Sequence, residues 1–210
     1  MDEALDLLAD AILQKRGADL GGDAELNAYY TKSFKAMLRL DSSVPEALEE
    51  RVIVATRDNV SEIQTSISVP RKDGDNTMSH GIEIELLHGG RLETREQPFE
   101  SYFRQVISLP APLRRGDEHE YLIRTKLPKG QPLSPHYVHV PLRRSDLFSL
   151  RIKFNTSCLP ENVWLLSGVP TAVIYERWPN AEKIEPDVFG EVRADFVNLR
   201  QGYGYGIRWS

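Results

Sequence analysis

Cysteine is nearly missing from this sequence. Cys158 stands alone among 210 residues, so no internal disulfide can form and no thiolate cluster can hold a metal. That usage fits a reducing compartment, and a cytoplasmic location is expected. Long apolar runs are missing too. None approaches the roughly 18 residues that a membrane-spanning helix needs. The opening MDEALDLLADAI begins with acids rather than a basic leader region, so no signal peptide is expected. Histidine is sparse, at His80, His88, His119, His136 and His139. In His136-Tyr137-Val138-His139 the two rings fall on opposite faces of a strand, which is wrong for chelation. No metal and no cofactor is therefore expected. Gly-x-Ser-x-Gly, Walker and Gly-x-Gly-x-x-Gly signatures are all missing, and no catalytic residue is assigned.

What is present belongs to a globular chain. Apolar residues make up 40% and charged residues 27%, enough to build a core. The net charge is −5, and its distribution is uneven: residues 1–60 hold 12 acids against 7 bases, whereas 61–210 hold 19 of each. Phosphate binding needs clustered cations, so this balance argues against a nucleic-acid partner.

Periodicity divides the chain at about residue 60. Asp2 to Arg16 carries apolar residues at helical spacing, with acids first, bases last and Gly17 as a stop. Asp23 is placed to cap a second helix over 24–40, where Leu26, Tyr29/Tyr30, Phe34 and Met37/Leu38 recur at three- and four-residue intervals. Ser43-Val44-Pro45-Glu46 reads as the opening of a third, to about Asp58. From 61 onward the period falls to two, as in Ile63-Gln64-Thr65-Ser66-Ile67-Ser68-Val69 and Tyr121-Leu122-Ile123-Arg124-Thr125-Lys126-Leu127. About eight or nine short strands follow one another with turn residues between them. The expected fold is α+β: a three-helix segment over 1–60, packed on or leading into an antiparallel β-sandwich over 61–210, immunoglobulin-like or jelly-roll-like.

Two local features fit a sandwich. Gly116 five residues before Tyr121 resembles the tyrosine corner of immunoglobulin-like and fibronectin-type domains, in which the phenol bonds back to the turn. Gly202, Gly204 and Gly206 alternate with Tyr203, Tyr205 and Ile207, a pattern that lets another backbone or an aromatic ring approach closely.

The functional reading follows from the empty inventory. A non-catalytic protein-interaction or ligand-sensing module is expected, with Trp178, Arg143, Arg144, Tyr203 and Tyr205 as candidate contacts to a protein partner or small ligand. One alternative is a small hydrolase using Cys158, or His119 beside Asp117, Glu118 and Glu120. The other is a self-assembling structural subunit. From Tyr137 onward, Pro141-Leu142-Arg143-Arg144, Pro160-x-x-Val163-Trp164, Asp187-x-x-Gly190-x-Val192 and Leu199-Arg200-x-Gly202-x-x-Tyr205-Gly206-Ile207-Arg208-Trp209 form a pattern. It resembles the uncharacterised β-rich C-terminal region of actinobacterial helix-turn-helix regulators. The resemblance implies a regulatory sensing or interaction module of a bacterial protein, without the DNA-reading helices, and transfers no functional residue.

Overall fold

The computed structural model describes residues 27–68, 81–99, 102–131, 133–176 and 179–210. Within them the chain is built of strands: β1 (Tyr29–Leu40), β2 (Glu46–Ala55), β3 (Val60–Ser68), β4 (Glu83–His88), β5 (Arg91–Phe99), β6 (Tyr102–Leu113) and β7 (Glu118–Lys126). They continue as β8 (His136–His139), β9 (Ser145–Phe154), β10 (Val163–Val169), β11 (Glu182–Ile184), β12 (Glu191–Leu199) and β13 (Gly204–Trp209). One 3₁₀ turn, Thr171–Tyr175, sits between β10 and β11. No helix among the described residues is long and apolar enough to cross a membrane.

The helical segment expected over 1–60 is corrected. Its second and third helices are β1 and β2, an antiparallel pair in register from Tyr29 opposite Ala55 to Arg39 opposite Glu46; its first, over 2–16, lies outside the described residues. The fold is β, not α+β. The misreading of β1 has a specific cause. A register shift between Thr31 and Ser33 changes the phase of the strand, so the inward residues are Tyr29 and Thr31, then Phe34, Ala36 and Leu38. A bulge of this kind breaks the period of two and leaves a spacing that imitates a helix. In β2 the inward set is Ala47, Glu49, Arg51 and Ile53. Two charged residues among them conceal the alternation.

Three sheets result: a six-stranded sheet in the order β12-β9-β1-β2-β7-β4, a four-stranded sheet β11-β10-β13-β8 and a three-stranded sheet β3-β6-β5. The described strand pairs from 60 onward are antiparallel, as expected, but β1, read as a helix, runs parallel to β9, from Thr31 beside Ser145 to Leu40 beside Phe154. The long excursion between these strands in sequence supplies the crossover that a parallel pair requires.

Both smaller sheets cover the same face of the six-stranded one. Phe34, Phe148 and Phe196 stack across β1, β9 and β12 with centroids 4.8 and 5.6 Å apart, and pack with Tyr205 and Ile207 of the four-stranded sheet. Burying each such ring contributes about 1.5–3 kcal/mol. Tyr29, Ile53, Tyr121 and Ile123 pack instead with Ile63 and Ile107 of the three-stranded sheet. The opposite face is polar and carries pairs such as Lys32–Glu118 and Lys35–Glu50, each at 2.6 Å.

The turn before β7 takes the chain from the three-stranded to the six-stranded sheet and is closed by the Arg114 amide donating to Asp117 at 2.8 Å. Tyr121 is not a corner tyrosine. It is buried inside β7, with its phenol against the guanidinium of Arg51. The glycines of β13 do permit close approach: a Cβ on Gly206 would lie 2.1 Å from the carbonyl oxygen of Tyr137, and one on Gly204 2.8 Å from Ile174. Gly206→Ala is accordingly expected to push β8 off its partner. Urea unfolding should show a loss of about 1–3 kcal/mol, and hydrogen exchange should rise at Tyr137 and Val138.

Candidate functional site

Two covering sheets leave a seam over the middle of the six-stranded sheet. Among the described residues β3 pairs only with β6 and β8 only with β13, so within them each presents an unpaired edge. Between these edges lies a cavity of about 570 Å³, within the range of small-molecule sites. Its floor comes from β1, β2 and β7, one wall from 64–68 of β3, and the other from 136–143 on and after β8. Thr31, Glu49, Thr65, Thr125 and Ser145 all line it and are all buried, so the polar side chains of the interior are concentrated here.

The centre of the site is an ion pair within β2. Arg51 Nη2 donates to Glu49 Oε2 at 2.8 Å, with side-chain exposures of 15% and 11%. Arg51 Nη1 also donates to Thr65 Oγ1 at 3.1 Å, and the guanidinium lies 4.0 Å above the Phe34 ring. The other oxygen of Glu49 accepts the Tyr137 hydroxyl at 2.6 Å. Burial by itself would lower the Arg51 pKa; Tyr121 and Glu49 more than reverse this, and the guanidinium stays charged. Burial, then the Glu49 carboxylate, raises the Tyr137 phenol well above its ordinary value, so Tyr137 remains a donor.

A second group of polar side chains is not used up in this way. His139 packs edge-on against Phe34 at 5.0 Å, and its Nε2 is buried without a hydrogen-bond partner. His136 lies on the other face of β8, edge-on to Tyr175 at 5.6 Å, with its Nδ1 likewise unpartnered. Desolvation, reinforced by Arg51, lowers the His139 pKa to about 3; desolvation, reinforced by Arg208, lowers that of His136 to about 4. Both rings are neutral at physiological pH. Ser145 Oγ and Arg143 Nη1 are also buried without partners at the cavity wall. Tyr175, 69% exposed, brings the rim to the surface, where the Arg208 guanidinium holds the turn by donating to Ile174 O at 2.9 Å.

The residues singled out from the sequence scatter. Arg143 lines the cavity and stacks on Tyr29 at 4.0 Å. Arg144 turns outward to Asp146 at 2.8 Å and covers Tyr30. Tyr205 is a core ring whose hydroxyl accepts the Arg200 amide at 2.8 Å, and Tyr203 lies under the Arg200 guanidinium at 4.0 Å. Trp178 lies outside the described residues. Cys158 is exposed in the β9–β10 turn and does not line the cavity with His136 and His139. His119 is a strap: its Nε2–H donates to the Gly89 carbonyl at 2.6 Å. Among the described residues no three His, Cys, Asp or Glu side chains gather as a metal site. Glu49, Arg51 and Tyr137 went unremarked in the sequence; the signal for the first two was the β-branched run Val52-Ile53-Val54 that follows them.

No protein-family model matches the chain, and neither does any curated protein. A solved structure shares the fold. A crystal structure of a protein described as a "putative protease" from Parabacteroides distasonis superposes with a TM-score of 0.54 at 10% identity, covering 87% of this chain and 40% of that one. An M1 zinc metallopeptidase from Deinococcus radiodurans reaches a TM-score of 0.44 at 13% identity, covering 86% of this chain and 42% of that one. The chain thus spans about 40% of the length of these proteins.

Removing one member of a buried ion pair strands the other. Glu49→Leu is expected to cost about 3–5 kcal/mol, and Glu49→Leu with Arg51→Met to cost less than Glu49→Leu alone, both read by urea unfolding. The histidines set an acid limit. Their folded pKa values lie below the unfolded value of about 6.5, so the unfolded chain binds more protons as pH drops. Stability should fall below about pH 6.5, by up to about 1.4 kcal/mol per pH unit for each ring. The loss should continue to about pH 4 for His136 and about pH 3 for His139. His136→Gln/His139→Gln, whatever its stability at pH 7.5, should show a shallower decline of melting temperature between pH 6.5 and 4.5.

Proposed function

We propose that this chain is a non-catalytic, ligand-sensing module that takes a small molecule into the cavity between β3 and β8. The observation that carries this reading is the contrast inside the cavity. Glu49, Arg51, Thr65 and Tyr137 bond to one another and form a frame, whereas Arg51 Nε and the buried polar atoms Arg143 Nη1, Ser145 Oγ, His136 Nδ1 and His139 Nε2, all on residues that line the same cavity, have no hydrogen-bond partner. Buried polar groups are ordinarily satisfied, and a preorganised frame beside unsatisfied groups is what selective ligand binding requires. A cytoplasmic, regulatory setting in a bacterial protein, as the sequence resemblance implies, belongs to this proposal. The likeness to part of a described protease is one of fold, and no peptidase chemistry is carried over with it.

The test is a thermal-shift screen of chemically diverse small molecules, followed by hydrogen exchange on any that stabilise. Binding to the folded state should add about 2.7 kcal/mol at a hundredfold excess over the dissociation constant. Protection should map to β3 and β8, and Ser134→Trp at the half-buried cavity wall should abolish the shift. A stabilising compound that protects neither strand, or a shift that survives Ser134→Trp, would overturn the reading.

A further inference from the structure

The charges and side chains around the cavity are ordered along β1, and their order specifies a ligand class. Among the described residues four charged side chains line the space: Glu46, Glu49, Arg51 and Arg143. Glu49 is matched by Arg51. Glu46 is matched by Arg124, 3.9 Å away, which also reaches Glu85. His136 and His139 are neutral. Arg143 is left with no carboxylate among the described residues; it rests on the Tyr29 ring, with Nη1 buried and unpartnered.

Register places the other groups. Ser145 lies beside Thr31, one inward position from Tyr29, and is 2% exposed with an unpartnered hydroxyl. His139 and Arg51 follow at Phe34. At the far end Leu38 pairs with Ala47, and Leu127 and Leu133 complete an apolar wall. The cavity is therefore cationic and hydrogen-bonding at the Tyr29 end and, apart from Thr125 opposite Ala47, apolar at the Leu38 end. Nine residues of strand separate these ends by roughly 25–30 Å.

We propose that the cavity binds a monoanionic amphiphile, a single carboxylate on an aliphatic or aryl body, with the carboxylate held by Arg143 and Ser145 and the apolar body directed along β1 toward Leu38 and Leu127. The inference rests on the ligand-binding reading above and narrows it. One unmatched guanidinium accounts for one negative charge, and its fork suits the two oxygens of a carboxylate. A dianionic phosphate would leave a net negative charge buried, which is strongly unfavourable. A cation would meet an unmatched Arg143. The apolar end supplies affinity by removing ligand surface from water.

The experiment uses laurate, palmitate and oleate, each beside its primary amide, with hexadecylphosphonate as the dianion. Binding to the full chain is measured by calorimetry and mapped by hydrogen exchange. At least one carboxylate should bind, protecting β8 and residues 143–145, and its amide should bind on the order of ten- to a hundredfold more weakly. Arg143→Gln should weaken the carboxylate by a similar factor, Arg143→Lys should restore part of it, and hexadecylphosphonate should bind less well than palmitate. Far-ultraviolet circular dichroism and melting temperature verify that both variants fold. Equal binding of acid and amide, tighter binding of hexadecylphosphonate than of palmitate, or carboxylate binding unchanged in a folded Arg143→Gln would overturn the anion assignment while leaving the cavity as a ligand site. Failure of all three carboxylates would also overturn it. Protection away from β3 and β8 would overturn both readings.

Discussion

The structure depends on one buried ion pair. Glu49 and Arg51 are two residues apart on β2, on the same inward face, and between them they touch all three sheets. The guanidinium reaches Thr65 in the three-stranded sheet, the carboxylate accepts from Tyr137 in the four-stranded sheet, and both belong to the six-stranded sheet. A buried pair of this kind is weak evidence for stability, because apolar residues of the same volume often do as well. Its geometric effect is more certain. Two hydrogen bonds, Arg51 to Thr65 and Tyr137 to Glu49, joined through the ion pair, fix where the two covering sheets sit relative to each other, and so fix the width of the seam.

The seam explains why an otherwise conventional β-core contains a cavity. Each covering sheet has its own apolar cluster against the six-stranded floor: one is built on Phe34, Phe148 and Phe196, the other on Ile53, Ile63 and Tyr121. Two separately packed clusters need not meet. Edge strands β3 and β8 face each other across the gap, and the small residues Gly204 and Gly206 let β8 lie close to β13. Burial of the charged groups that line it strengthens the electrostatic contacts they make. Burial also keeps His136 and His139 neutral.

Much of the β-architecture was legible. The strands from Ile63 onward alternate clearly, and β3, β7, β9, β12 and β13 lie where that alternation places them. The glycine pattern of β13 correctly announced a close backbone approach. The reading failed in β1 and β2, for physical reasons. A bulge at Thr31 and Ser33 broke the period of β1, while Glu, Ala, Leu and Arg gave β2 the local preferences of a helix. The same error hid the site, since a charged pair in a supposed amphipathic helix is assigned to solvent. Arg143 alone among the described candidates lines the cavity; Tyr205 was drawn into the core by its ring, and Arg144 outward by Asp146.

The sequence by itself determined the β-character of most described residues from 61 onward and the positions of several turns between them, because these depend on local periodicity and residue inventory. Tertiary structure decided the rest. Whether Tyr29–Leu40 is strand or helix turned on partners supplied by Ser145–Phe154, more than a hundred residues away, and whether Glu49 faces water or the interior turned on Tyr137. A local propensity worth a few tenths of a kcal/mol per residue yields to such pairing. The cavity has no sequence signature, for it is the space between sheets that only long-range packing brings together.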